Sequence, residues 1–134
     1  MLRKNISALI TNFLVGMLLL VFAQVTDSFA IKRIVTSEDG AVGISQALLT
    51  AQDDDTILVD EGTYYMGSVS IEGVVIKNGI KLIGFSGKKV VFSGKKSSNS
   101  PATSRILAGY SLDSTTLIKN IHFEYGTTRT LSED

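Results

Sequence analysis

Asp53-Asp54-Asp55-Thr56-Ile57-Leu58-Val59-Asp60-Glu61-Gly62-Thr63-Tyr64-Tyr65 is the stretch whose reading decides the fold. A helix does not run through three consecutive aspartates, because their side chains compete for backbone hydrogen bonds and their charges gather at the negative end of the helix dipole. Asp55 therefore reads as a turn residue, and Thr56-Ile57-Leu58-Val59 as a short β-rich strand between acids. Glu61-Gly62 reads as the next turn. Thr63-Tyr64-Tyr65 follows as a second extended piece, with Tyr64 placed to pack its ring over the end of a core.

Upstream the period differs. Ile44, Ala47, Leu48 and Ala51 fall at i, i+3, i+4 and i+7, which predicts an amphipathic helix of two to three turns. Gln46 and Gln52 fall off that stripe, and Val42 is placed to staple the helix start. Residues 31–43, with Thr36, Ser37, Asp39, Gly40 and Gly43, read as an extended lead-in ending in a turn.

Downstream only short strands and turns are predicted, with strands at 69–71, 74–76, 80–83, 90–92, 106–108, 116–118 and 121–123, punctuated by glycines. Such a pattern suits a sandwich, a barrel or a coil of strands. Ile76-Lys77-Asn78-Gly79-Ile80 recurs as Ile118-Lys119-Asn120-Ile121, about 42 residues later, in keeping with two coils of a solenoid with about 20 to 25 residues per coil. Asn78-Gly79 alone is a hairpin signal. In the second copy Ile121 would need a positive φ, which a β-branched residue resists, so one left-handed Asn bending each strand into the next fits both copies better. The stretch from Gly94 to Ser104 holds the single proline, Pro101, and reads as a flexible loop protruding from a coil.

The first thirty residues read as export. Arg3 and Lys4 precede the apolar run Phe13 to Ala23, which falls short of the roughly 20 residues that span a bilayer. Ser28-Phe29-Ala30 is the preferred cleavage site and Val21-Phe22-Ala23 the other, with a retained anchor as the alternative. Residues 1–30 are thus expected to be a signal peptide, leaving no stable membrane span after cleavage and placing the protein in a secreted, periplasmic or extracellular location. The sequence holds no cysteine, which excludes disulfides, thiolate metal sites and cysteine nucleophiles.

Formal net charge is zero, with 13 basic and 13 acidic residues. Removing Arg3, Lys4 and Asp27 with the signal leaves 11 basic and 12 acidic, a balance that argues against nucleic-acid binding. The signs are segregated. Eight acids and no Lys or Arg lie between Ile34 and Ile76, and six lysines and no acid lie from Lys77 to Lys96. Neighbouring elements with complementary solvated charges are one reading. The functional one makes Lys77, Lys81, Lys88, Lys89, Lys95 and Lys96 a basic face for an anionic partner such as an acidic polysaccharide.

A helix containing Ile44-Ser45-Gln46-Ala47-Leu48-Leu49-Thr50-Ala51 runs into Asp55-Thr56-Ile57-Leu58-Val59, then Glu61-Gly62-Thr63-Tyr64, Ile80-Lys81-Leu82-Ile83-Gly84 and Val90-Val91-Phe92-Ser93-Gly94. This order resembles the N-terminal cap and first coils of the pectin-lyase-like superfamily, over roughly residues 40 to 126. In that superfamily a helix with the pattern I-x-x-A-L-x-x-A precedes D-T-I-x-V and G-T-Y. Asp53-Asp54 stands where the family usually has Pro-Gly. The resemblance implies an all-β fold: a right-handed parallel β-helix, a short solenoid of about three to four coils, with an N-terminal amphipathic capping helix, residues 31–134 being the N-terminal portion of such a domain. It also implies secretion and work on polysaccharide. Catalytic acids, bases and calcium ligands of the superfamily lie on central coils, so no catalytic position carries over to this chain.

Clustered carboxylates suit calcium, but the spacing of Asp53, Asp54, Asp55, Asp60 and Glu61 matches no EF-hand loop, and Asp55 is explained by its turn. Hence no cofactor is expected, calcium having only weak support. His122, the one histidine, alternates with apolar neighbours and is expected to point outward; a general base is the alternative. Tyr64, Tyr65, Tyr110 and Tyr125 suit either core stacking or a sugar face. Two functions follow as expectations: a truncated or short relative of a polysaccharide-binding or polysaccharide-degrading, pectate-lyase-like protein, or a non-catalytic surface, adhesion or accessory module. An open last coil would favour self-association.

Overall fold

The computed structural model describes residues 29–127. In chain order these form β1 (Lys32–Val35), helix α1 (Gly40–Thr50), β2 (Thr56–Val59), β3 (Gly62–Tyr65), a short 3-10 turn (Met66–Ser68), β4 (Val74–Ile76), β5 (Lys81–Gly84), β6 (Val90–Ser93), β7 (Leu107–Gly109), β8 (Leu117–Lys119) and β9 (His122–Glu124). All but the last two of the expected signal residues lie outside the described residues.

The chain visits three sheets in turn. β2, β3 and β4 each belong to a different one, β5, β6 and β7 return to the same three in the same order, and β8 and β9 begin a third pass. Every ladder between named strands is parallel. The first sheet runs β1-β2-β5-β8, the second β3-β6-β9 and the third β4-β7. The described residues thus form a strand-rich, parallel-sheet structure with one helix, compatible with a β-helix-like solenoid. In the first sheet Lys32 pairs with Thr56, Thr56 with Lys81 and Lys81 with Leu117, steps of 24, 25 and 36 residues. The long step contains the Gly94 to Ser104 stretch, which folds back on itself through an antiparallel bridge between Lys95 and Ala102.

Alternation fills the interior. Ile57, Val59, Tyr64, Leu82 and Phe92 are buried, and α1 lays Ala41, Ile44, Ala47 and Leu48 on the same core. The helix stripe is therefore as the spacing predicts. Tyr64, Phe92 and Phe123 occupy one register column, their rings edge to face at 5.6 and 5.9 Å between centroids. The ring at the top of that column, Phe123, is 44% exposed.

Four local expectations are corrected. Residues 69–71 are not a strand, because the Val69 and Ser70 amides donate to the Met66 carbonyl (3.1 and 3.2 Å) and close the 3-10 turn instead. Val42 lies inside α1 with its side chain exposed, so it does not staple the helix start. The Ile-Lys-Asn recurrence is not the repeat of the fold: Ile76 ends β4 and pairs with Gly109 in the third sheet, whereas Ile118 lies in β8 and pairs with Leu82 in the first. Nor do the two copies bend alike. In the first the left-handed residue is Gly79 (φ 74°), in the second it is Asn120 (φ 57°). Asn78 acts through its side chain instead, accepting from the Asp113 amide (2.7 Å) and donating to the Asp113 carboxylate (3.1 Å) one pass later.

The aspartate run turns the corner as the sequence suggests. Asp54 takes the left-handed conformation (φ 69°) that a Gly would otherwise supply, and Asp is among the side chains that tolerate it. Asp55, 1% exposed, accepts from the amides of Ile31 (2.7 Å) and Gln52 (3.0 Å). The negative end of α1 is answered by two cations. Lys77 donates to the carbonyls of Leu49 (2.7 Å) and Ala51 (3.3 Å), and Arg33 donates to the Thr50 hydroxyl (2.6 Å) and carbonyl (3.4 Å).

Candidate functional site

The six lysines singled out by the sequence are carried by different parts of one circuit. Lys77 lies between the third and first sheets, Lys81 on β5, Lys88 and Lys89 at the corner between β5 and β6, and Lys95 and Lys96 just after β6. Most have local partners. Lys77 caps α1, Lys81 meets Asp54 at 3.3 Å, Lys88 meets Glu61 at 3.0 Å, and the Lys95 ammonium sits 4.0 Å from the centre of the Tyr125 ring. Lys88 is held above the usual lysine range by the hydrogen bond and charge of Glu61. Lys89 pairs with no carboxylate among the described residues.

The structure brings Lys88 and Lys89 together with a residue that the sequence left apart. Val91 pairs with His122, so the loop that carries Lys88 and Lys89 lies one rung from β9. Lys88, Lys89, Val90, Asn120, Ile121 and His122 line one shallow depression of about 310 Å³ on the outer surface. The His122 Nε2 lies 3.2 Å from Glu124 Oε1, and its side chain is largely exposed, pointing outward as its alternation predicts. Two ammonium groups, that of Lys88 paired with Glu61, an imidazole paired with Glu124 and a carboxamide that donates to the Gly84 carbonyl (3.3 Å) therefore share one corner. Such a set suits recognition of a carboxylated or sulfated chain, because the cations attract it from a distance and the polar groups orient it. Sequence spacing could not reveal this grouping, since the 31-residue step from Val91 to His122 depends on the length of an irregular loop.

The acids of the opening stretch are dispersed. Asp54 and Glu61 face lysines one pass later, Asp60 Oδ1 accepts from the Glu61 amide (2.8 Å), and Asp55 is buried at its turn. Among the described residues no group of three or more His, Asp or Glu side chains is placed to hold a metal ion. Hydrogen bonds from the Gln52 and Ile31 amides, in that order, hold the Asp55 carboxyl below the usual carboxylate range against the opposing effect of burial, with Arg33 adding to them. Tyr64 is core rather than surface. Its hydroxyl donates to the Asp60 carbonyl (3.0 Å), and burial, aided by Asp60 and Asp39, pushes its pKa up to about 12.

Among the described residues the third pass has a partner strand on one side only. Ile106, Leu107, Ile118, Phe123 and Gly126 line an open apolar depression of about 480 Å³ there. Among the described residues no helix is long and apolar enough to cross a membrane. No protein-family model matches the sequence, and neither a curated protein nor a solved structure matches it.

Proposed function

We propose that the chain is exported, that residues 31–134 are the capped first coils of a right-handed parallel β-helix of the pectin-lyase-like kind, and that it binds an extracellular anionic polysaccharide. The corner formed by Lys88, Lys89, Asn120 and His122 carries the binding reading. The fold reading is supported by in-register parallel strands revisiting three sheets in order, under a helix that seals one end of the core. Binding, rather than turnover, is the part proposed for these residues, because Asp54, Asp55, Asp60 and Glu61 are engaged by lysines and amides. That favours the surface or accessory module over the polysaccharide lyase for the chain as given.

The test is retention on polygalacturonate against a neutral polymer at low salt. Retention should fall as salt screens exposed charges. Replacing both Lys88 and Lys89 with Ala should weaken it roughly three- to thirtyfold, as expected for the loss of two exposed, screened charge contacts. No retention, or retention that the double substitution leaves unchanged, rejects the site. An ultraviolet assay for unsaturated product, with and without calcium, tests the lyase directly.

A further inference from the structure

We propose that hydrolysis of the Ala30–Ile31 peptide bond is a maturation step that locks the fold, because it places a new α-ammonium on the Ile31 nitrogen, 2.7 Å from the buried Asp55 carboxylate. The step rests on the export reading above and takes water and an endopeptidase of the export pathway. The C–N bond breaks, the water oxygen joins the Ala30 carbonyl carbon as a carboxylate, and the Ile31 nitrogen leaves as an ammonium.

Three observations converge on it. Phe29 is 83% exposed, Ala30 is exposed and Ile31 is 51% exposed, so the bond lies at the surface, ahead of the first strand. Ile31 is already fixed on the other side of its Cα, where its carbonyl accepts from the Thr56 amide at 2.9 Å, so its nitrogen need not travel to reach Asp55. Asp55 in turn is a hub of the first corner. Its side chain takes the Ile31 and Gln52 amides, and its carbonyl accepts from Lys81 at 2.9 Å on the next rung. A carboxylate buried at such a hub gains more from a formal positive charge than a solvated one does. Because Asp55 is held in its charged form by the same two amides, the new ammonium meets a carboxylate rather than an acid. The uncut chain offers only a neutral amide there. In the cut chain half of the Ile31 surface stays open, so water can satisfy the two further ammonium hydrogens.

An opposite charge within about 4–6 Å is worth roughly one to three powers of ten in an ionisation equilibrium. With Ile31 half exposed the low end applies, so the ion pair should raise the folded-to-unfolded ratio about tenfold at pH 6.5, where an α-amine of ordinary pKa near 8 is charged. The experiment expresses the full chain in an export-competent host and reads the first residue of the recovered protein by mass. Chemical unfolding is then run on that protein and on a form begun at Phe29, each with Asp55 and with Asp55→Asn. The expected result is a first residue of Ile31, a tenfold advantage over the Phe29 form, and loss of most of that advantage in Asp55→Asn. Equal stability of the two Asp55 forms, or an advantage that survives Asp55→Asn, overturns the proposal. A first residue other than Ile31 overturns the cleavage reading separately, and a form begun at Ile31 by scarless proteolysis then tests the pair alone. Should Asp55→Asn not fold, titration of the Ile31 α-ammonium by NMR decides. A pKa above the ordinary α-amino range supports the pair, and an ordinary value overturns it.

Discussion

Phe92 is the middle rung of the aromatic column, and truncating it should remove a large share of the protein's stability. Its ring is fully buried and meets Tyr64 and Phe123 edge to face at 5.6 and 5.9 Å. Phe→Ala in a core costs about 3–5 kcal/mol, and each well-oriented ring pair is worth about 0.5–1.5 kcal/mol beyond area. With two pairs lost, Phe92→Ala belongs at the upper end, about 4–5 kcal/mol. A domain of this size has only about 5–15 kcal/mol in all. Phe123→Ala should cost about 2 kcal/mol, because that ring is 44% exposed and has one ring partner. Urea unfolding followed by circular dichroism at several protein concentrations measures both. A Phe92→Ala loss below about 2 kcal/mol would refute the column as a stabilising element. The Phe123 result also tests the expectation of self-association through the last strands. If a second copy covers those strands, the Phe123→Ala loss rises towards that of Phe92→Ala as concentration increases, and light scattering shows a dimer or larger. A concentration-independent monomer with the small loss rejects self-association.

Other perturbations probe the corners and the buried titrating groups. Gly94→Ala should destabilise by at least about 2 kcal/mol, since the added Cβ would sit 2.1 Å from the Tyr125 carbonyl oxygen and 2.7 Å from that of Ser104. Gly87→Ala, where φ is +75° but no atom lies within 4 Å, should cost only about 1 kcal/mol, and equal losses in urea would reject the close-approach argument. At left-handed Asp54, Asp54→Gly should unfold at higher urea than Asp54→Ala by about 1 kcal/mol, because both lose the exposed Lys81 pair and only Ala keeps the strain. Asp55 has a lowered folded pKa, so its contribution is present above the unfolded value near 4 and lost as pH falls through the lower folded value. The slope of stability against pH below about 4 should therefore be shallower in Asp55→Asn, without vanishing, because Asp39 and Asp113 are held low by Thr36 and Thr115 in the same sense. Tyr64 has the opposite sign: its stabilisation is intact below its unfolded pKa near 10 and lost as pH rises towards about 12, a loss that Tyr64→Phe should remove in an alkaline titration.

Element type was legible in the sequence wherever one physical preference dominated. The i, i+3, i+4, i+7 spacing of Ile44, Ala47, Leu48 and Ala51 has few outlets besides a helix resting on a core, and all four residues are buried. Thr56 to Val59, between turn-forming acids, is a strand for equally local reasons. Pairing partners were less legible, because they depend on distances along the chain that loops alter. The recurrence of Ile-Lys-Asn suggested coils of about 20 to 25 residues, and the first two steps in the first sheet are 24 and 25, but the third is 36 and the two copies that carried the reading belong to different sheets. Residues 69–71 have strand composition, yet the Val69 and Ser70 amides are used by a turn whose carbonyl acceptor, Met66, lies outside the apolar run. The candidate corner depends on the same pairing. His122 joins Lys88 and Lys89 only because the irregular Gly94 to Ser104 stretch has the length that returns β9 beside β6.

The segregation of acids and lysines has a related cause in the rung geometry. Asp54 meets Lys81 and Glu61 meets Lys88, each 27 residues apart, so a block of acids followed by a block of lysines becomes a set of contacts between adjacent rungs. These pairs are exposed and screened by solvent, too weak to set register alone. Steric contacts are more selective. Gly84 and Gly94 lie under the carbonyls of Asn120 and Tyr125, both left-handed, at distances where a Cβ would meet backbone oxygen at 2.2 and 2.1 Å. A slip of β9 by two residues on β6 would preserve its inward alternation but set Phe92 or Lys96, in place of Gly94, under the Tyr125 oxygen. Register is thus fixed by two glycines bracketing the aromatic column, and the ion pairs follow from it. Lys89, which the register leaves without a carboxylate partner among the described residues, lies beside His122, which is why that corner rather than the whole lysine block is the place to test for binding.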